Sequence, residues 1–536
     1  MATPHPSHRV AARRSGADAY VRPPEGSPNV VVIVLDDVGF GQIGCFGSSI
    51  ETPNIDRLAA DGLRYNRFHV TAICSSTRAC LMTGRNHHAV GVGMTQETNL
   101  VFPGYTGRIP KTAALLPRVL RDSGYNTFAV GKWHLTAGTD YSAAGPTTHW
   151  PIQQGFDRYY GFLGAETSQW VPDLTRDNTA VEPPFGPEDG YHLTEDLVDE
   201  AIRMVQDQQQ AAPGKPFFLY FATGAAHAPH QVPPEWIEPY VGRFDHGWEV
   251  ERQRTFERQL DLGIIPPDTT LIERPSWVPD WEALSPDERR VYARYMEVFA
   301  AFMTHTDHHI GRLLSSLETL GVLDDTIVVV LSDNGASSEG GITGTLNETA
   351  AWMGTPQDLQ DALDHLDEIG GTRQFNHYPW GWAWAGNAPF PLWKRYSWLG
   401  GVRTPMVIRW PSGIQQADRD VVRSQFCHAN DLYPTLLDAV GIDAPATVDG
   451  VTQQPIDGTS FAATFADASA PEHHALQYFE MHGSRGIYHD GWKATTDFVS
   501  PLFGERDHIA GSSDHSESKW KLFDLESDFA EAHDLA

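Results

Sequence analysis

Five short apolar runs stand out along the chain: NVVVIVL (29–35), TFAV (127–130), PFFLYFA (216–222), TIVVVL (326–331) and PMVIRW (405–410). A strand with one wet face alternates apolar and polar residues. These runs do not alternate, which predicts strands covered on both faces, in a mainly parallel sheet flanked by helices. Between them TPNIDRLAADG (52–62) predicts a helix with Thr52 at the N-cap, Pro53 at the first helical position, Ile55, Leu58 and Ala59 on one face, and Gly62 as the stop. TEDLVDEAIRMVQ (194–206) and MEVFAAFMTHTDHHIGRLLSSLETLG (296–321) read as two further amphipathic helices. Near residue 411 the character shifts. QFCHANDLYPTLLDAVG (425–441) predicts a helix, and SRGIYHDGWKATTDF (484–498) with WKLFDLESD (520–528) predicts antiparallel strands of a smaller domain. The pattern divides the chain into a tail (1–28), a catalytic α/β domain (29–415) and a C-terminal region (416–536).

Two long segments, 231–290 and 336–400, are rich in Pro, Trp and Gly, and loops of that length shape or cover a site. Within the second, HYPWGWAWAGNAPFPLWKRYSW (377–398) either lines an aryl-binding mouth or packs the inside of the loop.

Length and charge narrow the function classes. A chain of 536 residues can bury a large core and carry an appendage. The net charge of -30 argues against nucleic-acid partners and against adhesion to anionic membranes. Any anionic substrate must therefore meet locally placed lysines and arginines. The first 28 residues, rich in Pro, Ser, Ala and Arg and without an apolar run, read as a disordered tail and not an export signal. No window reaches the roughly 18 apolar residues of a membrane span. Four cysteines (Cys45, Cys74, Cys80, Cys427) are too few for a disulfide framework, and the expectation is a soluble cytoplasmic protein with free thiols.

Candidate chemistry falls at the ends of the apolar runs: Asp36 and Asp37 after the first, Lys132 and His134 after the second, His227 after the third, Asp333 and Asn334 after the fourth. Ligands bind where parallel strands of an open α/β sheet end, so these residues are expected to converge. Asp and Asn are also ordinary turn formers, which accounts for one such end but not for four. Asp36, Asp37, Asp333 and Asn334 form an oxygen set suited to Ca²⁺, with Mg²⁺ as the alternative, and adjacent carboxylates repel unless a cation neutralises them. Cys74 opens CSSTRACLMTGR, which has no helix breaker before Gly84. Arg78 then lies one turn along the same face, where it and the helix N-terminus stabilise an anion at residue 74. Cys45, Cys80 and Cys427 read as small buried apolar side chains. His305 and His309 are a helical turn apart and suit either a zinc pair or a solvated face, the latter being the expectation. His87 and His88 belong to the site's surroundings or to a loop.

The segments VVIVLDDVGFGQIGCFG, TPNIDRLAADG, CSSTRACLMTGRNHH, GYNTFAVGKWHL, HAPHQVP, VVVLSDNG, GGVRTPMVIRWP and LFDLESDFAEAHDL together resemble type I sulfatases of the alkaline-phosphatase superfamily, particularly bacterial arylsulfatases. The resemblance implies an α/β/α sandwich with a large mainly parallel mixed sheet and a C-terminal antiparallel sheet. It also implies a small-molecule sulfate ester, aryl or alkyl, as substrate. Calcium ligands fall on Asp36, Asp37, Asp333 and Asn334, with residue 74 supplying another oxygen once a maturation enzyme has converted Cys74 to formylglycine (3-oxoalanine). Activating and substrate-binding roles fall on Arg78, Lys132, His134, His227 and Lys394, with His227 preferred to His230 and Lys394 to Arg395. His227 or Lys394 is the implied general acid, and His134 the base that releases sulfate. The sequence departs from the family at Ser76, where relatives carry proline or alanine. That leaves two alternatives: a phosphonate monoester or phosphodiester hydrolase on the same scaffold, and an unmatured metal-binding pseudoenzyme. The resemblance further implies a last helix beyond EAHDLA, where this chain ends at Ala536.

Overall fold

The computed structural model describes residues 21–142, 144–501 and 504–536. The expected tail lies outside them for residues 1–20, while the Pro28 carbonyl accepts a 2.8 Å hydrogen bond from the Tyr125 hydroxyl.

Among the described residues one sheet has ten strands: Asn29–Leu35 (β1), Leu63–Tyr65 (β2), Asn126–Lys132 (β3), Arg158–Phe162 (β4), Leu174–Arg176 (β5), Thr179–Val181 (β6), Phe217–Ala222 (β7), Thr326–Ser332 (β8), Met406–Arg409 (β9) and Val421–Arg423 (β10). Their order across the sheet is β10-β2-β9-β8-β1-β7-β3-β4-β5-β6. The central strands β8, β1, β7, β3 and β4 run parallel. β9 runs against both its neighbours, which makes the sheet mixed.

Every residue of β1 is buried because its two faces feed different cores. Val31, Ile33 and Leu35 point into one, and Val30, Val32 and Val34 into the other. This is why the run shows no polar alternation. The flanking helices include Pro53–Ala60 (α1), Cys74–Thr83 (α2), Leu116–Asp122 (α3), Leu193–Ala211 (α4), Pro286–Thr319 (α5) and Leu432–Val440 (α6). α1, α4 and α5 pack into the first core, while α3, α6 and the stretch Ala79–Met82 of α2 pack into the second. The result is the expected α/β/α sandwich.

Thr52 stands at the N-cap of α1, but its hydroxyl accepts from Gly44 N at 2.8 Å and does not cap the helix. The first-turn N–H groups of Asn54 and Ile55 are bound instead by the Asp307 carboxylate of α5, at 3.0 and 2.8 Å. α5 begins ten residues before the predicted start, at a Ser285–Glu288 capping box. His305 and His309 are not on a solvated face. Both are buried where α5 packs against α4 and Trp236, with Nε2 atoms 3.2 Å apart, and no metal-binding group of three is formed there among the described residues.

The C-terminal sheet comprises Leu476–Met481 (β11), Ser484–His489 (β12), Trp492–Thr496 (β13) and Trp520–Asp524 (β14), antiparallel in chain order. Its first two turns, His482-Gly483 and Asp490-Gly491, have φ of 51°, 93°, 44° and 85°, the signature of tight hairpins. Just past the expected boundary at 415/416 the chain is still part of the large layer. β10 pairs with β2 in the large sheet and α6 packs on its core, so the antiparallel subdomain starts later.

The Trp-rich stretch packs inward. Trp380, Trp382, Trp384 and Trp393 are buried, and Trp382 meets Trp248 and Trp281 edge to face at 5.7 and 5.6 Å. The aryl-mouth alternative for these rings is therefore overturned. No helix among the described residues is long and apolar enough to cross a membrane.

Candidate functional site

The carboxyl ends of β1, β3, β7 and β8 meet at one edge of the sheet, on either side of β1. Backbone bonds lock the loops together there: Asp36 N donates to Ala225 O at 2.9 Å and Asp333 N to Leu35 O at 3.1 Å. Asp37 and His134 adopt left-handed backbone angles, φ 63° and 53°. Such conformations cost energy and persist where surrounding structure over-determines them, which is common at functional sites.

Asp36, Asp37, Cys74, Arg78, Lys132, His134, His227, Asp333, Asn334 and Lys394 are all buried in this cluster. Lys132 Nζ donates to Asp36 Oδ2 at 2.6 Å, and Lys394 Nζ to Asp37 Oδ2 at 2.9 Å. Arg78, fully buried on α2, clasps Asp333 Oδ2 through Nε at 3.0 Å and Nη2 at 2.6 Å, with Asp36 Oδ2 at 3.5 Å. Its Nη1 donates to Lys132 O at 3.1 Å, which ties α2 to the end of β3.

Electrostatic strain remains despite these pairs. Burial and then the neighbouring Asp36 push the Asp333 carboxyl up to about 6, against the pull of Arg78. Asp37 is held below the usual carboxylate range, because Lys394, His227 and Lys132 outweigh the effect of burial. Two acceptors, Asp36 Oδ1 and Asn334 Oδ1, are buried without any hydrogen-bond partner. Ligand atoms of Asp36, Cys74 and Asp333 lie within 4.8 Å of one another, as do those of Asp36, Asp37 and His227. Crowded carboxylates beside orphaned oxygen acceptors fit a hard divalent cation, which would satisfy both.

Cys74 is the first residue of α2, and the left-handed Gly84 ends the helix with its N–H on Cys80 O at 2.9 Å. Cys74 Sγ lies 3.2 Å from His134 Nδ1, and the other ring nitrogen, Nε2, lies 3.0 Å from Glu97 Oε2. A carboxylate only accepts, so Nε2 carries the hydrogen and Nδ1 faces residue 74. Although burial opposes protonation, the Glu97 and Cys74 charges raise His134 to about 9. Ser76 sits in the first turn of α2 with its hydroxyl on Val92 O at 2.7 Å.

Neighbouring candidates take different places. His227 is in the cluster, whereas His230 packs against Phe299 and Tyr378 with ring centroids 5.1 Å away. Lys394 enters the site, while Arg395 turns to Glu505 and to Ser338 Oγ. His87 bonds Val92 O and His88 bonds Glu480, both outside the cluster. His227 Nδ1 lies 2.8 Å from Ala228 O, so it is the donor; the bare Nε2 faces Lys394 Nζ at 3.3 Å. Burial and the Lys394 charge lower His227 to about 4, while Lys394 is raised well above its ordinary value by Asp37 and Glu339 against the effect of burial.

Glu339, which binds Lys394 Nζ at 2.5 Å, and Glu97 were not foreseen in the sequence. Glu339 follows SDNG by a few residues, a faint signal, and Glu97 has none beyond its position after the Cys74 helix.

Comparisons with known proteins agree with this geometry. A family model described as Sulfatase matches residues 28–442, and one described as the C-terminal part of N-sulphoglucosamine sulphohydrolase matches 392–498. An uncharacterised sulfatase of Schizosaccharomyces pombe is 32% identical, covering 95% of this chain and 90% of the relative. An arylsulfatase of Klebsiella aerogenes is 30% identical over 81% of this chain and 91% of its own. The solved structure of a phosphonate monoester hydrolase from Agrobacterium radiobacter superposes with a TM-score of 0.57 at 19% identity, covering 95% of this chain and 91% of that one, a likeness of fold alone.

Proposed function

We propose, for a chain that belongs to the sulfatase family and hydrolyses sulfate esters, that Cys74 matures to formylglycine and that Asp36, Asp37, Asp333 and Asn334 hold a calcium ion beside it. The observation that carries this reading is the pair of orphaned buried oxygens, Asp36 Oδ1 and Asn334 Oδ1, facing a carboxylate cluster next to residue 74. When present, the ion and the hydrated aldehyde supply a Lewis acid and an oxygen nucleophile.

The chain's own residues do the rest. Arg78 fixes Asp333 and the start of α2, so residue 74 and the carboxylates keep their spacing. Lys132 and Lys394 place ammonium groups where sulfuryl oxygens and the leaving oxygen develop negative charge. In the resting site Lys394 holds the proton and His227 is neutral with Nε2 as acceptor, which makes the Lys394–His227 pair the source of the proton for the departing alcohol. His134, oriented by Glu97, presents Nδ1 to residue 74; with the Cys74 charge that favours its protonation removed on maturation, the neutral ring takes the proton whose removal lets sulfate leave.

A formylglycine-generating maturation enzyme and aryl or alkyl sulfates as substrates belong to the same proposal. So does a cytoplasmic setting, supported by four buried, unpaired cysteines. Turnover of nitrophenyl sulfate and of the matching phosphate diester, with and without chelator, tests it. Calcium-dependent turnover of the sulfate is expected; hydrolysis of the diester alone would overturn the proposal.

A further inference from the structure

The cavity above Cys74, about 630 Å³, has a base and a wall of opposite character. Among the described residues its only basic lining groups are His134, His227 and Lys394, and Lys394 is already bound to Asp37 and Glu339. The wall and rim carry Glu97, Glu166, Asp173 and Glu182. Glu97 is matched by His134 and the Tyr141 hydroxyl. Glu166 has no such match. Its nearest cationic candidate, His227 Nδ1 at 3.7 Å, spends its hydrogen on Ala228 O. Glu348, outside the cavity lining but close enough to feel the Glu166 charge, is buried with both carboxyl oxygens unpartnered. Burial and then the Glu339 charge push the Glu166 carboxyl up to about 7, and burial followed by the Glu166 and Glu339 charges pushes Glu348 well above the carboxylate range. The short helix Glu348–Trp352 also places Trp352, 60% exposed, on the rim of the same cavity.

We propose that this mouth selects sulfate monoesters by the charge on their alcohol part, favouring ammonium-bearing alcohols over neutral ones and rejecting those with a second anion. The proposal rests on the sulfatase reading and names its substrate class. The sulfate is met by cations at the base, whereas a second anion would lie among unmatched carboxylates in a protein of net charge -30. An ammonium group would meet Glu166 on the wall, favouring its ionised form, and lie against the Trp352 indole face. One charge about 8 Å from an unmatched carboxylate, at an effective dielectric constant of about 20, changes affinity by about tenfold or more.

The test uses three phenyl sulfates with a para methylene bearing trimethylammonium, tert-butyl or carboxylate; the ammonium group also acidifies its phenol, so Kd, which leaving-group acidity does not touch, decides alongside kcat/KM. The expected kcat/KM order is ammonium, tert-butyl, carboxylate, with at least about tenfold between the ends. The same order is expected in Kd for the Cys74→Ala protein, which binds without turnover. Glu166→Gln and Asp173→Asn should each compress the ammonium-to-carboxylate ratio, and Glu182→Lys, at the exposed rim, should compress it without touching the interior. A carboxylate ester used as well as the ammonium ester, or a ratio unchanged in all three variants, overturns the proposal. Failure of the mature protein to hydrolyse any of the three overturns the sulfatase reading itself and this inference with it.

Discussion

Lys493→Met is the perturbation that best tests how the C-terminal sheet supports the site. Lys493 on β13 and Glu531 form an ion pair with no solvent exposure. Lys493 Nζ also donates to Ser397 O at 2.8 Å, and Glu531 Oε2 accepts from Leu399 N at 2.7 Å. The pair thus clamps the segment just beyond Lys394. Burial lowers Lys493 and raises Glu531, each against the attraction of the other, so either charge is costly alone. Removing the ammonium leaves a dry carboxylate with one N–H donor, at a cost of about 3–5 kcal/mol. Methionine refills the stem's volume, which keeps the cavity contribution small. Against a typical total stability of about 5–15 kcal/mol, this is a large loss. Adding Glu531→Gln removes the second charge but keeps an acceptor for Leu399 N, so the double variant should return to within about 2 kcal/mol of the parent. Calorimetric melting in excess calcium, with kcat and KM on an aryl sulfate, reads both effects. The single variant should melt several degrees lower and raise KM more than it lowers kcat. A loss under about 1 kcal/mol, or a double variant as unstable as the single, would refute the clamp.

Three further outcomes follow from the same physics. Asp333→Ala should abolish the calcium-dependent rise in melting temperature and lower turnover at least about 100-fold, while a variant still stabilised by calcium would reject the metal assignment. Glu97→Gln should lower kcat by about 10- to 100-fold by releasing His134, with Glu97→Asp restoring part of it; unchanged kcat would remove Glu97 from the mechanism. His474, whose Nδ1 lies 2.7 Å from Asp431 Oδ1, is raised above its ordinary 6.5 by that carboxylate against the effect of burial. Its stabilising contribution is complete below about pH 6.5 and is lost as pH rises through the folded-state value. Melting temperature should therefore fall across that window in the parent but not in His474→Gln.

The central strands were legible because residues such as Val30 to Leu35 are apolar on both faces, a demand only a doubly covered strand makes. β2, β4, β5, β6 and β10 were not, because LRY, RYYGF, LTR, TAV and VVR are short or mixed and owe their state to pairing partners distant in sequence. The site residues that end strands could be read from the chain. Glu339, Glu348 and Glu166 could not, since long loops bring them in and nothing local marks a glutamate that will be buried. His305 and His309 were misplaced for a related reason. Helical periodicity shows which faces are apolar, not that the opposite face of α5 is covered by α4 and Trp236. Lys394 and Arg395 are adjacent and both buried, and only tertiary structure sends one to Asp37 and the other to Glu505.

Ser76 stands where the family resemblance leads one to expect proline or alanine, two residues after Cys74, yet its hydroxyl is absorbed by Val92 O and leaves Cys74 at the head of α2 beside His134. The mass of the proteolytic peptide containing residue 74, from protein active on an aryl sulfate, tests the account most directly. An aldehyde or its hydrate at position 74 is the predicted result, and an intact cysteine thiol in the active protein would contradict it.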